Sequence, residues 1–167
     1  MAGASVPQST LSTGVGDGSV TVTVDPFGSF GAAVGGNTSN AIYDPVGPLG
    51  PAGTTYESGL AIRTGGSTTF LTSGSSGTSG GGAAAGPTLG SNTAVTSTFT
   101  FGTLSVELVQ AILPASSGTI QNGSILFQRY TAYNTVGTTA ELDLFRYFDG
   151  DLFWQVIFHD DGGGRLL

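Results

Sequence analysis

Apolar and polar residues alternate along much of this chain. In "SVTVTV" (Ser19–Val24), Val20, Val22 and Val24 share one face while Thr21 and Thr23 share the other. That period of two is the mark of a half-buried strand. "TAVTSTFTFG", from Thr93, repeats it through Val95, Ser97, Phe99 and Phe101. "TTYESGLAIR" (Thr54–Arg63) reads as a weaker strand broken by Gly59, and "STTFLT" (Ser67–Thr72) follows a Gly65-Gly66 turn as the second arm of a hairpin.

"LSVELVQAIL" (Leu104–Leu113) fits two periods. Leu104, Leu108 and Ile112 suit a helix; Leu104, Val106, Leu108 and Ile112 suit a strand. Its β-like surroundings favour the strand. Further on, "SILFQRYTAYN" (Ser124–Asn134) and "AELDLFRYF" (Ala140–Phe148) are joined by "TVGTT", and "LFWQVIFH" (Leu152–His159) follows a turn at Gly150. These last three segments are expected to form a meander. Their aromatic density predicts that they supply most of the core.

Between the strands lie glycine- and proline-rich segments. Three prolines in "DPVGPLGPAG" (Asp44–Gly53) fix φ and remove donors, so this segment is expected to be neither strand nor helix. Residues 73–90, "SGSSGTSGGGAAAGPTLG", read as a long Gly/Ser-rich loop. The part before that loop has too few large apolar residues for a core of its own, which predicts one domain over 1–167. Many short strands, frequent turn signals and little helical pattern predict an all-β antiparallel β-sandwich, with a partly closed barrel as the alternative.

Composition narrows the function classes. Charged residues make up 9% of the chain, and four arginines against eleven carboxylates leave a net charge of −7; an average soluble protein carries roughly 25% charge. With no lysine and only Arg63, Arg129, Arg146 and Arg165 as cations, a basic surface for nucleic acid or anionic lipid is not available. No apolar run approaches the roughly 20 residues of a membrane helix. A surface of Ser, Thr, Asn and Gly points to an extracellular or cell-surface protein. No signal peptide is visible at the N-terminus, and the absence of cysteine excludes disulfides and thiolate chemistry.

Candidate chemistry is sparse. One histidine, His159, would have to serve any nucleophilic triad, and no Gly-x-Ser-x-Gly elbow is present. Glu141 and Asp143 form an i, i+2 pair that a solvated strand face explains without catalysis. The chain is therefore read as non-enzymatic. Asp149 and Asp151 flank Gly150 and are the candidate calcium ligands, since calcium takes carboxylate and carbonyl oxygens. An Asp-Gly hairpin turn explains the same residues without a metal. Asp160 and Asp161 lie roughly 20 Å further along a strand at about 3.3 Å per residue, too far to share that ion. Tyr130, Tyr133, Tyr147 and Trp154 are candidates for an aromatic sugar platform. Arg129 and Arg146 are within cross-strand reach of Glu141, Asp143 or Asp149, and at least one of the two is expected to form a structural ion pair.

The segment "GSILFQRYTAYNTVGTTAELDLFRYFDGDLFW" resembles β-rich domains of large secreted bacterial surface proteins of the adhesin type. The resemblance rests on Tyr130, Asn134, Thr135, Arg146, Tyr147, Asp149, Gly150 and Asp151 and covers the last third of the chain. It implies a domain of a longer parent, of the kind found beside calcium-binding repeats or surface anchors. The leading expectation is a structural or adhesive extracellular module, with calcium as its candidate stabilising ion. Its partners would be surface or matrix components or copies of itself. The alternatives are a self-assembling fibre or coat subunit and a carbohydrate-binding module.

Overall fold

The computed structural model describes residues 8–32, 41–71, 84–91 and 93–150. Eleven strands are defined among them: β1 (Ser9–Ser12), β2 (Val20–Val24), β3 (Ala41–Tyr43), β4 (Ala52–Gly53), β5 (Thr55–Thr64), β6 (Ser67–Leu71), β7 (Ala84–Ser91), β8 (Ala94–Phe101), β9 (Leu104–Ser117), β10 (Ile120–Asn134) and β11 (Asp143–Gly150). They form three antiparallel sheets, ordered β1-β2-β3-β4, β11-β5-β6 and β10-β9-β8-β7. None closes into a barrel, and the fold is the all-β antiparallel sandwich.

Two hydrophobic clusters show how the layers meet. Leu11, Val22, Val24 and Ala41 of the β1–β4 sheet pack with Val95 and Ile112 of the four-stranded β7–β10 sheet. Leu60, Ile62 and Leu71 of the β11-β5-β6 sheet pack with Phe99, Val106 and Leu108. The β7–β10 sheet is thus one layer, and the two smaller sheets share the other. β9 spans both clusters because it is 14 residues long, about 45 Å at strand rise.

β9 settles the two-period ambiguity. Leu104, Val106, Leu108, Gln110 and Ile112 are all buried and every intervening residue is less so. Pro114 is tolerated near its end. The β8 ladder stops at Ala94↔Ala111, so the missing N–H of Pro114 costs that side of the sheet nothing.

Four local expectations change. Ala52–Gly53, the end of the proline-rich segment expected to hold no strand, form β4 beside β3 once the last proline, Pro51, is passed. Gly59 does not break β5; it is paired with Tyr147 inside an unbroken ten-residue strand. Residues 84–90, read as part of the loop, belong to β7 and pair with β8. The last strands do not make a meander: β10 pairs with β9, whereas β11 pairs with β5 in another sheet. The "TVGTT" connection crosses between layers, held by the Thr135 N–H donating to the Thr103 carbonyl at 2.9 Å. Leu152–His159 lies outside the described residues.

The two small sheets are joined by "DPFGSF", Asp25–Phe30. The buried Asp25 carboxylate accepts from the N–H groups of Phe27 (2.9 Å) and Ser29 (2.8 Å), an Asx turn. Phe30 then forms a bridge to Ser58 of β5. Gly28 carries φ of +73° and passes so close to β9 that a Cβ there would lie 2.3 Å from Leu108 Cδ2.

Candidate functional site

β11 projects Arg146 inward, beside Leu144 on the same strand face. Arg146 Nη2 donates to the Gly28 carbonyl and to Ser58 Oγ, both at 2.9 Å. Nη1 reaches the Tyr130 hydroxyl at 3.4 Å, and the guanidinium lies 5.4 Å from the Phe30 ring centroid. Burial lowers the Arg146 pKa from its ordinary value, opposed by Tyr130 and by the charge of Asp25. Burial likewise raises the Tyr130 pKa, opposed by the Arg146 charge and hydrogen bond. A planar fork with several donors suits this position, where three elements must be bonded at once.

The facing sheet is polar at the same level. Gln110 is fully buried on β9 between Leu108 of one cluster and Ile112 of the other, and its Nε2 donates to the Gly28 carbonyl at 3.1 Å. Its cross-strand neighbour is Gln128. Gln110 Oε1 and Gln128 Nε2 are a buried acceptor and a buried donor without partners. This polar band marks the seam between the two clusters and orders the turn at Asp25–Phe30.

The outer faces are where large apolar side chains meet solvent. On the β11-β5-β6 sheet, Phe145 and Phe70 flank Ala61, and Tyr147 stands over Gly59. Phe70, Phe145 and Tyr147 are each about half exposed. The exposed Arg63–Asp143 ion pair (2.6 Å) borders them, with Arg63 stacked 5.3 Å from the Phe145 centroid. On the β7–β10 sheet, Leu113 and Ile125 are opposite each other and Phe127 is opposite Ala111. Leu113, Ile125 and Phe127 are also about half exposed. Arg129 sits 4.0 Å from Glu107 on this face, so the two charges there cancel.

Among the described residues, the aromatic strands β10 and β11 therefore add only partly buried side chains to the core, Leu126, Tyr130 and Leu144. On β10 and β11 the aromatics Phe127, Tyr133, Phe145, Tyr147 and Phe148 are exposed, while the buried interior comes from aliphatic residues of β1, β2, β3, β5, β6, β8 and β9 together with Phe27, Phe30 and Phe99. Period-two alternation separates two faces without naming the inner one, and Arg146 occupies the inner one here.

Asp149 and Gly150 do not form a turn tip. Both are β11 residues, paired with Glu57 and Thr55 across a bulge. Asp151, the other expected calcium ligand, lies outside the described residues, as do Trp154, His159, Asp160 and Asp161. Among the described residues, no group of three or more His, Asp or Glu gathers at one point. Asp143 pairs with Arg63, Arg129 with Glu107, and Glu141 precedes β11. Tyr130 belongs to the Arg146 network, apart from the exposed Tyr133 and Tyr147. Among the described residues, no helix is long and apolar enough to cross a membrane.

Comparison with protein-family models, curated proteins and solved structures finds no match to this chain.

Proposed function

We propose that this chain is a non-enzymatic structural or adhesive module of a secreted or cell-surface protein, working by contact through its outer sheet faces. One observation carries the reading: exposed apolar rows stand on both outer faces of a sandwich whose interior is tied by Arg146 and Gln110. Phe70, Phe145 and Tyr147 form one row; Leu113, Ile125 and Phe127 form the other. Contiguous exposed apolar surface on a rigid scaffold is the usual mark of an interaction site. The low charge content and the hydroxyl-rich remainder support an extracellular setting. The resemblance to adhesin-type β domains points the same way.

Beads coated with the protein test this reading. They should clump with one another or coat particulate cell-wall polysaccharide. Beads that stay dispersed and bind no such particles would overturn the proposal.

A second reading, a self-assembling fibre or coat subunit, draws on β10. Among the described strands it is an edge of its sheet, 15 residues long, with one charged residue and no proline. Natural edges are usually shorter or guarded by charge and proline. Sedimentation velocity over a wide concentration range should show oligomers under this reading, and a monomer throughout would exclude it.

A further inference from the structure

Glu57 is a carboxylate in an unusual place. β5 is buried on both faces here, and Glu57 is 4% exposed. Its Oε1 is buried and has no hydrogen-bond partner. A buried carboxylate with an unsatisfied oxygen is costly unless a proton or a cation compensates it. Directly across the ladder stands Asp149 on the same face, and facing side chains in such a pair have Cβ atoms about 5 Å apart. Like charges so placed repel. The ladder also skips a residue at this point: Asp149↔Glu57 is followed by Gly150↔Thr55, which leaves Tyr56 as the bulged residue. Bulges commonly re-aim side chains beside functional sites. The Tyr147 phenol lies in the field of both carboxylates.

We propose that Glu57 and Asp149 bind a hard divalent cation of the calcium class at the end of β11. The pair supplies up to four oxygens, one of them the unpartnered Oε1, and water completes the shell. Two carboxylates make a weak site, in the range of about 10⁻⁴–10⁻³ M typical of extracellular calcium modules. The site cross-links β5 to the end of β11. It keeps Asp149 from the sequence expectation and adds Glu57, a residue more than ninety positions away. It does not depend on the adhesive reading: cation binding is measured on the isolated protein, and adhesion on beads.

The test titrates the full chain with terbium and with calcium chloride. Terbium emission sensitised by tyrosine should rise to saturation and be displaced by calcium. At about 10 mM, calcium should raise Tm by roughly 3–7 °C. Asp149→Asn and Glu57→Gln should each abolish the thermal shift and weaken terbium binding at least about tenfold. Tyr147→Phe should lower the emission amplitude. Asp149 is only partly buried, so its variant keeps the test decisive if Glu57→Gln misfolds. A calcium shift that persists in Asp149→Asn would overturn the proposal. So would a wild type that ignores calcium while Glu57→Gln is more stable, since a shared proton would then be the compensation.

Discussion

Arg146 and Gly28 are 118 positions apart, yet Arg146 Nη2 donates to the Gly28 carbonyl at 2.9 Å. The same carbonyl accepts from Gln110 Nε2 at 3.1 Å. One buried acceptor thus receives a donor from each layer of the sandwich, at the seam where the two small sheets adjoin.

This shared acceptor makes the two donors redundant. Arg146→Met or Gln110→Met alone leaves Gly28 one partner, at an expected cost of about 1–2 kcal/mol each. Removing both leaves the carbonyl buried and unbonded. The double variant should therefore lose at least about 1 kcal/mol more than the sum, as read from a denaturant double-mutant cycle. Additivity within about 0.5 kcal/mol would show that the carbonyl is satisfied in some other way.

Backbone approach sets a second prediction. A Cβ at Gly31 (φ +130°) would lie 2.5 Å from the Tyr56 carbonyl oxygen, whereas one at Gly47 (φ +112°) meets nothing within 4 Å. Both alanine variants carry a left-handed backbone penalty of about 1–2 kcal/mol. Only Gly31→Ala also collides with main chain that the Phe30–Ser58 bridge holds in place. Thermal melts should rank Gly31→Ala well below Gly47→Ala, and equal melting points would contradict the close packing.

Stability should fall in alkali. Tyr130 has a raised pKa because it is buried, despite the opposing effect of Arg146. The folded chain therefore holds this proton more tightly than the unfolded one. Its contribution is intact below the ordinary tyrosine value of about 10 and is lost as pH rises through the folded value. Tyr147 shifts in the same direction, from lost hydration and then from the charges of Asp149 and Glu57. Melts between about pH 8 and 11 should show a decline that Tyr130→Phe makes shallower.

The Arg63–Asp143 pair should matter little. Its side chains are about half exposed, and such surface pairs contribute about 0.5 kcal/mol or less after screening. Asp143→Asn is expected to leave the urea midpoint nearly unchanged, in contrast to substitutions at Arg146.

The sequence discloses local alternation far better than it discloses partners. Val20, Val22 and Val24 announce β2 because each of its faces is uniform in character, whereas Leu104 to Ile112 fit two periods and only the β-like surroundings favoured β9. Sheet membership is a long-range matter. Nothing local in "TVGTT" distinguishes a hairpin loop from a crossover, so β10 and β11 were expected to be neighbours. Glu141 and Asp143 marked the solvated face of this segment, but the aromatics Phe145 and Tyr147 were expected inside although they follow Asp143 on that same face, while the inner face carries Arg146. Glu57 and Gln110 were missed for a related reason: each is a polar residue in a strand, which ordinarily marks the solvent side. One signal was available for Glu57. It adjoins Ser58, Gly59 and Ala61, small residues of the kind that fit a strand covered on both faces.

The central claim is that the outer faces make this domain's contacts. It is tested most directly by repeating the bead assay with a variant of each face, Ile125→Ser/Phe127→Ser and Phe70→Ser/Phe145→Ser, alongside the wild type. These residues are about half exposed, so both variants should fold with Tm close to the wild type. The account predicts that at least one of them loses adhesion. Full adhesion by both variants, or none by the wild type, would contradict it.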